Sequence, residues 1–164
     1  MANVTLKSNP FTTVGDLPKV GSKAPSFTLT NTDLAEVSLA DLAGSNLVLN
    51  IFPSVDTGTC ATSVRTFNQK VGSLDNTKVL CISKDLPFAH KRFCGAEGIE
   101  NVLSLSDISG DFGKDYQVAF ANGPLKGLLS RSIVVINTAG EVIYTEQVSE
   151  TTNEPDYESA LAAL

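Results

Sequence analysis

Apolar residues along this chain fall into two kinds of run. Some are short and nearly continuous, and others recur every three or four positions. NLVLNIF (46–52), KVLCIS (78–83) and VLSLSD (102–107) are of the first kind and predict strands buried on both faces. RSIVVINTAGEVIYTEQV (131–148) alternates on either side of NTAG and predicts a hairpin. SFTLT (26–30) predicts a short strand, and VTLKSNPFTTVG predicts a small N-terminal hairpin around Asn9-Pro10. Helical spacing separates these runs. After Cys60, apolar side chains return at Val64, Phe67 and Val71, one face of a helix ending near residue 73. LPFAHKRFCG places Pro87 in a first helical turn and Gly95 at its stop. SLADLAG (38–44), with Ser38 as cap and Gly44 as stop, and residues 111–116 predict single helical turns. EPDYESALAAL predicts a last helix, with Pro155 near its first position, acids in its first turn and Tyr157, Ala160, Leu161 and Leu164 on one face.

The order β-α-β-α-β, then a hairpin, then α, implies parallel strands joined by crossover helices, with antiparallel strands added at one side. The expected fold is α/β: a thioredoxin-like central mixed sheet flanked by helices, carrying an N-terminal β-hairpin extension. A length of 164 residues predicts one domain, 1–164, large enough to bury a core without disulfide or metal staples. The net charge is −6, and no block of Lys or Arg stands out, which argues against nucleic acid or anionic membrane as a partner. No apolar run approaches the ~20 residues of a membrane span, and MANVTLKSNP has no apolar signal core. The expectation is an intracellular, cytoplasmic protein. Three cysteines in such a chain do not form a secreted disulfide framework; any pairing would be catalytic or redox-sensing.

Cys60 stands where a buried strand gives way to a helix, in PSVDTGTC (53–60). Its spacing turns it toward the body of the protein, so one reading is a small core residue. Reactivity is the other. A helix start offers unpaired N–H groups and partial positive charge, which favour the thiolate. Thr57, three residues earlier, can face the same space. Pro53 ends the strand without an N–H and can shield the sulfur.

The pattern Pro53-x-x-x-Thr57-x-x-Cys60 resembles that of peroxiredoxins. NIFPSVDTGTCATSVRTFNQ, VLCISKDLPFAHKRFCGAEG, GPLKGLLSRSIVVI and EPDYESALAAL extend the resemblance over essentially the whole chain, to bacterial thiol peroxidases, the atypical two-cysteine subgroup. The resemblance implies that Cys60 is the peroxidatic cysteine, that Thr57 orients the peroxide, and that Arg131 stabilises thiolate and peroxide. It implies that Cys94, in RFCG, is the resolving cysteine, forming a disulfide with Cys60 within one chain. It also implies hydrogen peroxide and alkyl hydroperoxides as substrates, thioredoxin as reductant, a homodimer, a role in antioxidant defence, and no metal, haem or flavin. If both cysteines start in helices, one or both helix ends must unwind on oxidation, because a disulfide needs Cα atoms within about 7 Å. Leu125, Leu128 and Leu129 could line an apolar substrate wall, a dimer contact or the core.

Other readings compete at single residues. Arg131 could be a surface charge on an edge strand, and Cys94 a packing residue beside a glycine cap. Cys81, inside VLCIS, reads as a buried, inert thiol. His90 and Cys94, four apart on a helix, could share a metal ion. His90 could serve as base to Cys60 in a Cys–His hydrolase, although its neighbours Lys91 and Arg92 suggest a solvated helix face. Asp56-Thr57-Gly58 is the aspartic-protease triplet, but here it precedes a helix, where Asp56 reads as a turn or cap residue. A non-enzymatic redox sensor is a further alternative.

Overall fold

A computed structural model describes residues 1–164. It begins with an antiparallel hairpin of β1 (Asn3–Leu6) and β2 (Asn9–Thr12), with Leu6 opposite Asn9. The turn is Lys7-Ser8, both at positive φ (50° and 68°), and not Asn9-Pro10 as the pattern suggested. A two-residue turn of that hand matches the twist of the strands. It places Pro10 opposite Thr5 in a pair that exchanges no hydrogen bonds, so the missing N–H costs nothing. The outer edge of β1 is covered: Thr5 N–H donates to Ser149 O, and Thr151 N–H to Thr5 O, each at 2.7 Å.

β3 (Thr28–Asn31) pairs with β4 (Glu36–Ser38), a strand the sequence pattern did not reveal because it is three residues long and never buried. A 3-10 turn (Ala40–Leu42) follows, where Ser38 and Asp41 each accept the other's backbone N–H. Then β5 (Asn46–Ile51), α1 (Gly58–Val71), β6 (Thr77–Ser83), α2 (Pro87–Glu97) and β7 (Leu103–Ser106) alternate as expected. α2 runs through Gly95 and stops at Gly98, whose φ of 64° lets its N–H return to Cys94 O. The stop needs a left-handed residue, which Gly98 supplies, whereas a helix interior tolerates Gly95. After α3 (Asp111–Asp115) come β8 (Ser132–Ile136), β9 (Val142–Gln147) and α4 (Tyr157–Ala162). Asp156 caps α4 by accepting from Ser159 N–H, so Pro155 lies just outside the helix.

Seven strands form one mixed sheet in the order β4-β3-β7-β6-β5-β8-β9, with β5, β6 and β7 parallel and the rest antiparallel to their neighbours. Both faces are covered, which is why β5 reads as continuously apolar. Leu47, Leu49, Ile51, Leu80, Ile82 and Leu105 pack with Phe112 and Tyr116 in one core. Val48, Val79, Cys81, Ile133 and Val135 pack on the other face against Val64 and Phe67 of α1, Phe93 of α2 and Ala160 of α4. Phe67 meets Tyr157 edge to face at 5.1 Å, and truncating such a buried ring costs about 3–5 kcal/mol.

Two features of this frame position the site. α1 starts beyond the carboxyl ends of parallel β5 and β6, where open α/β sheets bind ligands. Ile51 is in register with Ser132, which sets Arg131 beside the point where the chain leaves β5 for Cys60.

Candidate active site

Cys60 is fully buried in the first turn of α1. Thr57 is the N-cap: its hydroxyl oxygen accepts the Cys60 N–H at 3.4 Å, and its own O–H donates to Ser54 O at 3.1 Å. Arg131 is buried too, 2% exposed, rather than a surface charge on an edge. Its Nη2 donates to Cys60 Sγ at 3.3 Å, while Nε and Nη2 grip Thr151 O at 3.1 and 3.0 Å. None of the four ion pairs in the chain involves Arg131, and its Nη1 has no hydrogen-bond partner. A buried guanidinium without a counter-ion is costly unless negative charge arrives. The helix start and the guanidinium thus present positive potential to the same sulfur.

Beside it opens a cavity of about 350 Å³, lined by Pro53, Thr57, Arg131, Leu6, Leu125 and Leu128 with neighbouring residues. Leu129, grouped with these leucines in the sequence, is instead in the sheet core.

Cys94 is half-buried on α2, its Sγ 3.2 Å from Ser104 Oγ on β7. It lines a different groove of about 420 Å³ that includes neither Cys60 nor Arg131. Cys81 is fully buried, 3.7 Å from Asn50 Nδ2, and burial pushes its thiol up to about 12. All three cysteines are free thiols.

A buried cysteine in a helix start is thus faced by an arginine, and comparison with known proteins shows the family to which the chain belongs. The Redoxin family model matches residues 19–161. The thiol peroxidase of Mycobacterium tuberculosis is 58% identical over 164 residues, covering 100% of this chain and 99% of that one. The chain belongs to the thiol peroxidases of the redoxin family. That of Corynebacterium glutamicum is 56% identical over the same extent. Among solved structures, a peroxiredoxin-like protein from Aquifex aeolicus superposes with a TM-score of 0.92 at 37% identity, over 98% of this chain and 95% of that one. A thiol peroxidase from Chromobacterium violaceum gives 0.90 at 24% identity, over 98% and 93%. The fold is therefore the thioredoxin-like fold of the redoxins, and the chain is an enzyme with peroxidase activity. No helix is long and apolar enough to cross a membrane.

For this thiol peroxidase, several residues that build the site gave no signal in the sequence. Thr151, whose carbonyl holds Arg131, is one. Glu150 beside it accepts from the Thr5 hydroxyl and from the Lys7 and Ser8 N–H groups, ties that hold its carboxyl down to about 2. The N-terminal hairpin thereby fixes the loop that fixes the arginine. His90 is the clearest correction. It is fully buried and not on a solvated face, with Nε2 3.1 Å from Ser83 Oγ. It therefore bonds neither Cys60 nor Cys94, and no group of three or more His, Cys, Asp or Glu is placed to hold a metal. Asp56 is exposed and pairs with Arg92 at 2.8 Å; the cap role falls to Thr57.

Proposed function

We propose that residues 1–164 act as one thioredoxin-like domain that reduces hydrogen peroxide and alkyl hydroperoxides through Cys60, with Cys94 as resolving cysteine and a thioredoxin-type dithiol protein as reductant. The observation that carries this reading is the 3.3 Å contact from Arg131 Nη2 to Cys60 Sγ, with Nη1 left free. The Cys60 thiolate attacks one peroxide oxygen. The O–O bond breaks, the other oxygen leaves as alkoxide or hydroxide and takes a proton, and Cys60 becomes a sulfenic acid. Arg131 and the α1 N-terminus supply fixed positive potential where that charge develops, and the Thr57 hydroxyl lies in position to orient the peroxide. The Cys94 thiolate then attacks the sulfenic sulfur and expels hydroxide, which leaves as water. Two thiols of the reductant restore both cysteines by disulfide exchange. Pro53, Leu6, Leu125 and Leu128 contribute apolar lining to the cavity, which suits an alkyl chain.

A homodimer belongs to the same proposal, supported by Leu86 and Phe88, large apolar side chains 54% and 65% exposed at the start of α2. So does a cytoplasmic location, because Cys60 and Cys94, which must return to the thiol state after each turnover, suit a reducing compartment. The test is one equivalent of an alkyl hydroperoxide followed by peptide mass spectrometry, then turnover with thioredoxin and its reductase. A Cys60–Cys94 link within one chain is expected. A link through Cys81, or between chains, overturns the resolving step, and a fully active Cys60→Ser protein overturns the reading.

A further inference from the structure

One titratable side chain of α2 is fully buried and has no part in the chemistry above. Burial disfavours the charged form of His90, and its tautomer follows from the bonds around Ser83. The Ser83 hydroxyl donates to Asp85 Oδ2, and the same oxygen accepts the Asp85 N–H at 3.1 Å. Its remaining lone pair faces His90 Nε2 at 3.1 Å, so that nitrogen carries the proton. The Asp85 carboxylate accepts in turn from the Ser54 hydroxyl at 2.7 Å and from Val55 N–H at 2.9 Å. Ser54 is also the anchor of the cysteine's cap: its carbonyl accepts the Thr57 hydroxyl, and its Oγ accepts the Asp56 N–H. A continuous chain of hydrogen bonds thus runs from the helix that carries Cys94 to the turn that caps Cys60.

We propose that Asp85 and His90 are positioning residues: the His90–Ser83–Asp85 relay holds the 54–57 turn in place for the peroxide step and locks it to α2, so that turn and helix are released together when the disulfide forms. This rests on the peroxidase reading. Two observations favour a latch over passive packing. The relay joins the turn that caps α1, which carries Cys60, to α2, which carries Cys94, and one or both of these helix ends is expected to open before the disulfide forms. His90 Nδ1 has no partner while α2 is folded, a cost that water relieves once the helix opens. The Asp56–Arg92 ion pair bridges the same segments, but both side chains are more than 60% exposed, so it contributes little.

The test separates two rate constants by stopped flow with an alkyl hydroperoxide. Sulfenic acid formation is followed in a Cys94→Ser background, and disulfide closure with Cys94 present. His90→Leu and Ser83→Ala each remove the central bond of the relay. They are expected to slow the first step about fivefold, the kinetic weight of one hydrogen bond, and to speed the second by a similar factor. His90→Gln, which keeps an N–H donor near the Nε2 position, is expected to restore both rates, and Arg92→Ala to leave both near those of the unaltered protein. Should His90→Leu fail to fold, Ser83→Ala and Asp85→Asn carry the same expectation. A relay that is merely structural would lower the melting temperature and leave the two rates unchanged, or lower both together; either result overturns the latch. If the unaltered protein does not react with the hydroperoxide, the peroxidase reading falls and the latch with it.

Discussion

Arg131 Nη2 lies 3.3 Å from Cys60 Sγ, and the guanidinium that reaches it is held from behind by the Thr151 carbonyl. The contact joins the start of α1 to the residue before β8. It exists because β5 and β8 are neighbours in register.

Substitution at Arg131 tests that contact directly. A lysine has the charge but not the fork, so it cannot bond the Thr151 carbonyl twice and reach the sulfur as well. Arg131→Lys and Arg131→Ala are each expected to slow sulfenic acid formation by about 10²-fold, the usual loss for one preorganised donor. Stopped-flow reaction with an alkyl hydroperoxide is the measurement, and a loss below about threefold would show that the guanidinium does not act on the reaction.

Thr57 combines a structural and a chemical task. Thr57→Val removes the cap on Cys60 N–H and costs about 1 kcal/mol of stability. If the hydroxyl also orients peroxide, turnover falls by more than that energy accounts for, beyond about tenfold. Thr57→Ser keeps both functions and is expected to retain most activity. Equal, small losses in the two variants would leave Thr57 as a cap alone.

Cys60 and Cys94 both lie within helices, Cys60 fully buried in the first turn of α1 and Cys94 lining a groove on α2 that does not include Cys60. Amide exchange across 57–64 and 88–96 is therefore expected to speed up on oxidation, with one or both segments losing protection. Similar protection in reduced and oxidised protein argues against unwinding. In the same samples Cys94→Ser should complete one turnover and cycle poorly with a dithiol reductant. Cys81→Ser should retain most turnover, since burial holds that thiol up at about 12 and keeps it protonated at neutral pH.

Glu150 sets an acid limit on the N-terminal hairpin. Its carboxyl is held at about 2 against an ordinary 4.5 by the Thr5 hydroxyl and the Ser8 and Lys7 N–H groups. Because the folded value is the lower one, this tie is at full strength above pH 4.5 and is lost as pH falls toward 2. Amide exchange at Lys7, Ser8 and Thr152 is expected to rise across that window beyond the change intrinsic to pH. In Glu150→Gln the excess should be present already at neutral pH. A pH profile identical in both proteins would remove Glu150 from this role.

The elements were legible because their signals are local. Continuous apolar runs marked β5 and β6, whose two faces are both covered, and the returns at Val64, Phe67 and Val71 marked the buried face of α1. Local signals also failed in understandable places. β4 is too short for a pattern, and the first turn lies at Lys7-Ser8, where two non-glycine residues take positive φ without a sequence cue. Gly95 looks like the stop of α2 in the sequence, but the left-handed backbone falls at Gly98.

The sequence by itself determined which stretches become strands and helices, that Cys60 opens a helix and faces inward, and, through resemblance, which distant residues to watch. Tertiary structure decided what stands around the sulfur. Arg131 is 71 positions from Cys60, and Thr151 another 20 beyond it, so no periodicity relates them. Strand register brings the first two together, and the Thr5–Ser149–Thr151 edge bonds place the third. His90 shows the same limit from the other side. Charged neighbours in sequence suggested solvent, but the direction of its side chain is set by how α2 packs on the sheet, and that direction is inward, onto Ser83.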